Sequence, residues 1–182
     1  MQAFSGQRIV IVGTSGSGKT FLGRKLSARL NLPHIELDSL HFEANWKEVS
    51  TEVFRNRVAD AVAPERWIVD GNYSKARDIV WNRADTVIWL DYPLRLIFRR
   101  VLGRTARRIL YREELWHGNR ETARKALFSH DSILLWVLTS YRRNRRKYAR
   151  LQADATYPSL LWIRFRMPQQ TAAWLEAIGS NH

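Results

Sequence analysis

Short apolar runs alternate along this chain with longer stretches in which apolar residues recur at helical spacing. Five runs read as buried strands, namely RIVIV, HIEL, WIV, TVIWL and LLWIRF. After the first run, leucines at positions 22, 26 and 30 have the spacing of one helix face. Strands without polar alternation, separated by helices, predict an α/β protein whose parallel sheet is covered by helices on both faces.

Further elements follow from the residues between these runs. A helix is predicted from Thr51 to about Ala63, and a largely helical block from Pro93 to Leu151. The last helix has Pro168 in its first turn and ends at Gly179, positions that these two residue types favour. No linker, internal repeat or low-complexity segment interrupts the 182 residues, so we expect a single domain over 1–182.

The segment GTSGSGKT, between the first strand and the first helix, fits the pattern G-x-x-x-x-G-K-[ST] of a phosphate-binding loop. Its glycines let successive N–H groups point at phosphate oxygens. Lys19 is then placed to reach the β- and γ-phosphates, and the Thr20 hydroxyl to bind Mg²⁺. The predicted nucleotide-binding residues are Gly13, Thr14, Ser15, Gly16, Ser17, Gly18, Lys19 and Thr20. We therefore expect ATP and Mg²⁺ as cofactors.

Three aspartates each follow an apolar strand directly. Asp70, in WIVDGNY, has the sequence context of a carboxylate that helps to hold Mg²⁺ beside a phosphate loop. Asp38, in LDSLHF, is placed to meet the acceptor or to take a proton from its hydroxyl group. Asp91 precedes a proline and a helix, which favours a role as helix N-cap. The alternative for each is a carboxylate that only accepts a hydrogen bond from a nearby backbone N–H group.

Other kinds of site find little support in the sequence. The histidines lack metal-ligand spacing, and we interpret His34, His41, His117 and His130 as packing or surface groups. No Ser/His/Asp arrangement is recognisable. The chain has no cysteine, its start lacks a signal-peptide pattern, and its ILLWVL run is too short to cross a bilayer. These features predict a cytoplasmic protein without a membrane partner, and they leave the oligomeric state open.

The net charge of +13 is concentrated in one internal block. Residues 93–150 hold 16 Lys and Arg residues against four Asp and Glu residues, whereas the flanking parts are nearly balanced. Within the block, YRRNRRKYAR continues a predicted helix with Asp131 as N-cap. The apolar stripe of this helix comprises Leu134, Val137, Leu138, Tyr141 and Tyr148. A neighbouring face comprises Thr139, Arg142, Arg143, Arg146 and Arg150.

Three interpretations of this basic face are open. The face could be exposed to solvent, with its cations stabilised by the negative end of the helix dipole. It could bind the triphosphate or the acceptor, or it could bind nucleic acid. Nucleic acid is possible but not favoured, because no helix-turn-helix or other reader motif accompanies the charges.

Several motifs in order, IVGTSGSGKT, HIELDSLHF, WIVDGNY, TVIWLDYP and REELWHGNRE, resemble the adenylate-kinase-like phosphate-loop proteins. They are most similar to the subgroup called topology modulation protein or putative adenylate kinase. The resemblance implies a three-layer P-loop NTPase fold with a five-stranded parallel sheet and a mobile, basic helical lid. It divides the domain into a nucleotide-binding core with an acceptor-side region (1–92), the lid block (93–150), and the last strand and helix (151–182).

The resemblance also implies roles for lid arginines. Arg100 and Arg104, in RVLGR, match an Arg-x-x-x-Arg step that contacts adenine and phosphates, and Arg120 and Arg124 match arginines that close onto the phosphates. One departure is clear, since the third-strand aspartate is followed by Gly-Asn-Tyr and not by Gly-Phe-Pro-Arg. Arg77 could substitute for the missing arginine from the next helix, but its spacing differs, so AMP is a doubtful acceptor.

The sequence as a whole predicts an ATP–Mg²⁺-dependent phosphotransferase that acts on a small-molecule acceptor. The predicted catalytic residues are Lys19, Asp38, Asp70, Arg104, Arg120 and Arg124. The alternative is an ATP-regulated protein that binds nucleic acid and modulates DNA topology through its basic block.

Overall fold

The computed structural model describes residues 4–111, 114, 116–119, 133–154 and 156–179. Within these ranges a single sheet comprises β1 (Arg8–Gly13), β2 (His34–Glu36), β3 (Trp67–Asp70), β4 (Thr86–Leu90) and β5 (Leu161–Phe165). All four pairings are parallel, and the strand order is β2-β3-β1-β4-β5. The predicted five-stranded parallel sheet is confirmed, and its carboxyl edge brings together the segments that follow the strands.

Helices follow most of the strands. They are α1 (Lys19–Leu30), α2 (Leu37–His41), α3 (Thr51–Ala61), α4 (Arg77–Trp81), α5 (Leu94–Leu110), α6 (Ile133–Ala153) and α7 (Pro168–Gly179). The Ser50 hydroxyl caps α3 by accepting a hydrogen bond from the Val53 N–H group. The basic block of the sequence therefore contains α5 and α6, as predicted. No helix in the described part of the chain is long and apolar enough to cross a membrane.

Each face of the sheet is covered by its own apolar cluster. Ile9 and Ile11 of β1 pack with α1, α5 and α7, whereas Val10 and Val12 face α3 and α4. This alternation is the period of two expected for a strand that is buried on both sides. Full burial of one such side chain contributes about 1.5–3 kcal/mol, so the sheet provides a rigid base for the loops at its edge.

Helix α6 belongs to both clusters. Its Val137 packs in the cluster with α1 and α5, and its Tyr148 packs in the other, against Trp81 and Trp89. The predicted apolar stripe is thus correct for Val137 and Tyr148. It is wrong for Leu138, whose surface is 46% exposed. Asp131, the predicted N-cap, lies outside the described residues.

Two predictions about strand-end aspartates are also wrong in detail. Strand β2 ends at Glu36, so Asp38 lies in the first turn of the short helix α2 and not at a strand end. Asp91 does not cap α5, because Pro93 is the N-cap residue and no side chain bonds there. The buried Asp91 carboxylate instead forms an ion pair with Arg145, whose Nε lies 3.1 Å from Asp91 Oδ1, and accepts hydrogen bonds from Arg164. Asp91 pairs with these arginines and not with backbone N–H groups, because contacts between opposite charges are stronger than hydrogen bonds from neutral donors.

Candidate active site

The phosphate loop leaves β1 through backbone conformations that exclude side chains. Gly16 has a φ of +85°, and a Cβ atom there would lie 2.3 Å from Val101 Cγ2. Gly13 has a φ of +152°, and a Cβ atom would lie 2.8 Å from the Leu90 carbonyl oxygen. Glycine alone tolerates both the φ values and the close approach of α5 and β4. The loop is therefore fixed by its neighbours as well as by its own sequence.

The loop leads into the N-terminus of α1, which begins at Lys19. Its N-cap residue, Gly18, offers no side-chain hydrogen bond, and the first turn of α1 contains no acidic residue. The first N–H groups of such a helix lack intrahelical partners and carry the positive end of the helix dipole. The Ser17 hydroxyl is buried without a hydrogen-bond partner among the described residues. A phosphate group could accept hydrogen bonds from these N–H groups and from the Ser17 hydroxyl.

The Lys19 ammonium group lies among charged groups from three parts of the chain. Its removal from water lowers its pKa from the usual value, and Arg104 adds to this lowering. The carboxylates of Asp70 and Asp38 act in the opposite direction and raise the pKa. Four of the residues predicted as catalytic therefore occupy one neighbourhood at the carboxyl edge of the sheet.

Thr20 and Asp70 meet where α1 approaches the end of β3. The Thr20 hydroxyl lies 3.4 Å from Asp70 Oδ1, at the long end of hydrogen-bond distances. The second carboxylate oxygen, Oδ2, lies 2.8 Å from His34 Nε2. A hydroxyl and a carboxylate oxygen beside a phosphate loop are the hard donors that Mg²⁺ prefers. No cluster of three or more His, Cys, Asp or Glu residues competes for a metal in the described ranges.

Asp38 is held by an aromatic hydroxyl group. Tyr73, three residues after Asp70, donates a hydrogen bond of 2.8 Å to Asp38 Oδ1. Burial raises the pKa of the Tyr73 hydroxyl, and the Asp38 carboxylate raises it further, so the hydroxyl keeps its proton and remains the donor. Asp38 is thus oriented toward the same edge of the sheet as Lys19.

The two arginines of the RVLGR step lie on α5 and face the loop. Arg100 Nη1 donates a hydrogen bond of 3.1 Å to the Ser17 carbonyl oxygen, and its guanidinium carbon lies 5.4 Å from the centre of the Tyr92 ring. Arg104 is close enough to Lys19 to lower the pKa of that lysine. Arg120 and Arg124, which the resemblance also implicates, lie outside the described residues.

Asn72 joins the loop to the basic helix. Its amide nitrogen donates to the Gly13 carbonyl oxygen at 2.7 Å, and its amide oxygen accepts from the Gly13 N–H group at 3.3 Å. The same oxygen accepts a hydrogen bond of 2.9 Å from the Tyr148 hydroxyl of α6. The Gly-Asn-Tyr that follows Asp70 is unusual in the sequence, but its pattern predicts no role for Asn72.

The basic face of α6 lines an open groove of about 460 Å³. Its lining residues are Thr139, Arg142, Arg143, Arg146, Lys147 and Arg150. The predicted face is thus present, with Lys147 as an additional member. Burial lowers the pKa of Lys147 to about 8, and the nearby charges of Arg77 and Arg143 contribute to the lowering. Arg77 comes from α4, so positive charge from two helices converges beside the end of β3.

A short segment after α5 contacts the acceptor-side region that follows β2. Asn119 is buried, donates to the Glu43 carbonyl oxygen at 2.8 Å, and accepts from the Trp46 N–H group at 2.8 Å. His117 Nε2 lies 3.2 Å from the Ser39 carbonyl oxygen. Residues 116–119 therefore contact the segment that contains Asp38. His34 and His117, which we interpreted as packing or surface groups, both take part in polar contacts here.

Known proteins with similar sequences are small-molecule kinases. Shikimate kinase of Synechococcus elongatus is 28% identical over 145 residues, which cover 65% of this chain and 74% of that protein. Shikimate kinase 3, chloroplastic, of Oryza sativa is 30% identical over 126 residues, which cover 58% of this chain and 42% of that protein. No family model matches the chain.

Two solved structures share the fold over nearly the whole chain. A gluconokinase from Sinorhizobium meliloti 1021 has a TM-score of 0.52 at 17% identity and covers 99% of this chain and 97% of its own. A shikimate kinase from Bacteroides thetaiotaomicron has a TM-score of 0.56 at 16% identity, with coverages of 97% and 98%. The three-layer α/β P-loop fold is confirmed. The sequence similarities support a P-loop kinase, with its acceptor unassigned.

Proposed function

We propose that this protein transfers the γ-phosphoryl group of ATP, with Mg²⁺, to a hydroxyl group of a small-molecule acceptor. The observation that carries the proposal is that Asp70 lies 3.4 Å from the Thr20 hydroxyl beside the phosphate loop, while the charges of Asp70, Asp38 and Arg104 all act on the Lys19 ammonium group. A loop that only bound nucleotide would not need a second carboxylate held toward the site by its own hydrogen-bond donor. The narrower likeness to topology modulation proteins and the cytoplasmic location stay predictions.

In the proposed reaction, the loop N–H groups and the Lys19 ammonium group bind the β- and γ-phosphates. The Arg104 guanidinium group neutralises charge that spreads over the transferred group, because preorganised cations act strongly in a site that excludes water. Arg100 braces the loop through the Ser17 carbonyl oxygen. These residues would align the phosphate chain along the loop.

Asp38 takes the proton of the acceptor hydroxyl as its oxygen forms a bond to the γ-phosphorus. The bond from that phosphorus to the bridging oxygen of ADP breaks, and the electron pair leaves with ADP. Tyr73 occupies Asp38 Oδ1, so Oδ2 is the oxygen that remains for the proton. Thr20 and Asp70 would hold Mg²⁺, which neutralises phosphate charge when it is bound.

An acidic group on the acceptor would suit the positive charge beside β3. Arg77 and Lys147 lie close enough for the arginine to lower the pKa of the lysine, and Lys147 also lines the open groove along α6. A carboxylate or phosphate bound there would relieve their repulsion. The acceptor itself is unassigned, and AMP is not favoured because the Gly-Phe-Pro-Arg arginine is absent.

The test is a screen for compounds that stimulate ATP consumption in the presence of Mg²⁺. The set should include nucleosides, nucleotides and small hydroxyl compounds in acidic and neutral pairs, with shikimate and gluconate among them because the relatives bear those names. Asp70→Asn should lower turnover more than nucleotide affinity, and Asp60→Asn, an exposed carboxylate on α3, is the control. Turnover of Asp70→Asn within about twofold of wild type would contradict the metal role.

The alternative, an ATP-regulated protein that binds nucleic acid, draws support from the exposed basic face of α6. Such a surface would bind DNA additively, with the salt slope falling by about one unit for each lost phosphate contact. Submicromolar DNA affinity near physiological salt, together with no acceptor-stimulated ATP consumption, would favour this alternative over the kinase.

A further inference from the structure

We propose that His34 is a positioning residue that fixes the Asp70 carboxylate for metal binding. The two oxygens of this carboxylate have different partners, since Oδ2 lies 2.8 Å from His34 Nε2 and Oδ1 faces the Thr20 hydroxyl. The proposal rests on the proposed function, because it assumes that Asp70 and Thr20 hold Mg²⁺. It assigns to His34 the task of directing one oxygen away from the metal and the other toward it.

The register of the sheet places His34 beside Asp70. His34 pairs with Ile68, and Glu36 pairs with Asp70, so the His34 side chain lies on the same sheet face as Asp70 and one step diagonal to it. Both side chains are nearly buried, at 8% and 6% exposure. In such surroundings the hydrogen bond is shielded from water, and a carboxylate oxygen without a partner would be costly.

Helix α1 makes room for this contact at Gly23. A Cβ atom at this position would lie 2.2 Å from His34 Nε2 and 2.7 Å from Cδ2. The φ of Gly23 is not positive, so Gly23 is not required by a left-handed backbone conformation. A glycine inside a helix destabilises that helix relative to alanine. We infer that the space it leaves is required by the imidazole ring and, through that ring, by Asp70.

Such an arrangement has a known physical effect. A ligand side chain whose second oxygen is tied to a neighbour loses fewer rotational states when it binds a metal ion, and its bound orientation is selected in advance. Loss of a partner of this kind typically lowers metal affinity 10- to 100-fold. A simple packing role for His34 predicts a loss of stability instead, without a selective effect on the metal.

The experiment measures Mn²⁺ affinity with ADP bound and, separately, ADP affinity without metal. His34→Leu and Gly23→Ala should each weaken Mn²⁺ binding by at least about tenfold, while metal-free ADP affinity stays within about twofold. The double variant should be no worse than either single variant, because both changes break one contact. His34→Gln, whose amide can donate to Asp70, should restore Mn²⁺ affinity to within about threefold of wild type.

Gly103→Ala is the matched control, because Gly103 also lies inside a helix and a Cβ atom there meets nothing within 4 Å. It should leave both affinities unchanged. If Gly23→Ala does not fold, His34→Leu and His34→Gln carry the test alone. Unchanged Mn²⁺ affinity in His34→Leu would overturn the inference while the proposed function stands. If the wild-type protein with ADP binds no Mn²⁺, the proposed function fails, and the inference is then overturned with it.

Discussion

The phosphate loop and the basic face of α6 both attract anions, but they are built in different ways. The loop uses backbone N–H groups, forced glycine conformations and one lysine that removal from water holds at a lowered pKa. The basic face uses many side-chain charges along one helix, placed by contacts with Asp91 and Asn72. The loop can therefore discriminate by geometry, whereas the face offers exposed charge that salt readily screens. This difference predicts how each region responds to substitution.

The largest expected effect comes from the loop. Lys19→Ala should weaken ATP binding by at least tenfold and lower turnover by roughly 10³-fold, because a charge-assisted contact to the transferring phosphate is lost. Calorimetry with ATP and a turnover assay measure the two quantities. Lys25→Ala, an exposed lysine on α1, is the control and should behave as wild type. Equal ATP affinity for Lys19→Ala and the wild-type protein would remove the loop from the proposed site.

Arg104 tests whether α5 contributes to the same geometric site. Arg104→Ala should lower turnover by roughly 10²-fold with a smaller change in ATP affinity, since the guanidinium group stabilises charge mainly in the transition state. Arg99→Ala, at an exposed position of the same helix, should change turnover less than twofold. If the two variants lose similar activity, the arginines of residues 93–150 act through their summed charge and not through one fixed position. The result would contradict the contrast between the loop and the basic face.

The contact between Asp91 and α6 can be tested by substituting the adjacent residues Arg145, which pairs with Asp91, and Arg146, which lines the groove. Asp91→Asn should lower the free energy of unfolding by about 2 kcal/mol, because two arginines lose their buried partner, although both retain some access to water. Arg145→Ala should lower it by about 1 kcal/mol, since Arg164 still pairs with Asp91. Arg146→Ala, on the groove face, should change it by less than about 0.5 kcal/mol. Urea unfolding measures all three, and equal losses for Arg145→Ala and Arg146→Ala would contradict this account of α6.

The smallest effect concerns Lys147 and pH. Its pKa is about 8 in the folded protein against 10.5 ordinarily, so below pH 8 its charge opposes folding, and this cost disappears between pH 8 and 10.5. Lys147→Met should therefore raise the Tm at pH 7 by roughly 1–3 °C, with the gain shrinking through that window. Lys25→Met is the exposed-lysine control. Thermal scans from pH 7 to 10.5 check the expectation, which a pH-independent difference would contradict.

Local sequence predicted the loop and the sheet well, for a physical reason. Val and Ile runs that are buried on both faces have few alternatives to a central strand, and the glycine spacing within Gly13 to Thr20 indicates the loop before its distant neighbours are known. Asp70 could be chosen as a candidate metal ligand in the same way, because it directly follows such a run, and that role stays a prediction. These features depend on residues that are close together in the chain, so the sequence alone is enough to predict them.

Features that depend on distant partners were missed or misread. Asp91 was interpreted as a helix cap because its partners, Arg145 and Arg164, come from α6 and β5 and share no motif with it. His34 seemed unremarkable until the sheet register and the missing side chain of Gly23 placed its ring against Asp70. A helix glycine opposite a strand histidine is the one signal that could have indicated this contact.

The bonds between Asn72 and Gly13 also bear on how tightly and how fast a nucleotide binds. Because the start of the loop is already fixed in the free protein, its ordering cost is met during folding and not during association. Binding should then proceed with a small heat-capacity change and with an association rate close to that of a rigid pocket. The Tyr148 hydroxyl of α6 donates to the same Asn72 oxygen. A substitution that shifts α6 should therefore lower the association rate of the nucleotide before it lowers the turnover number.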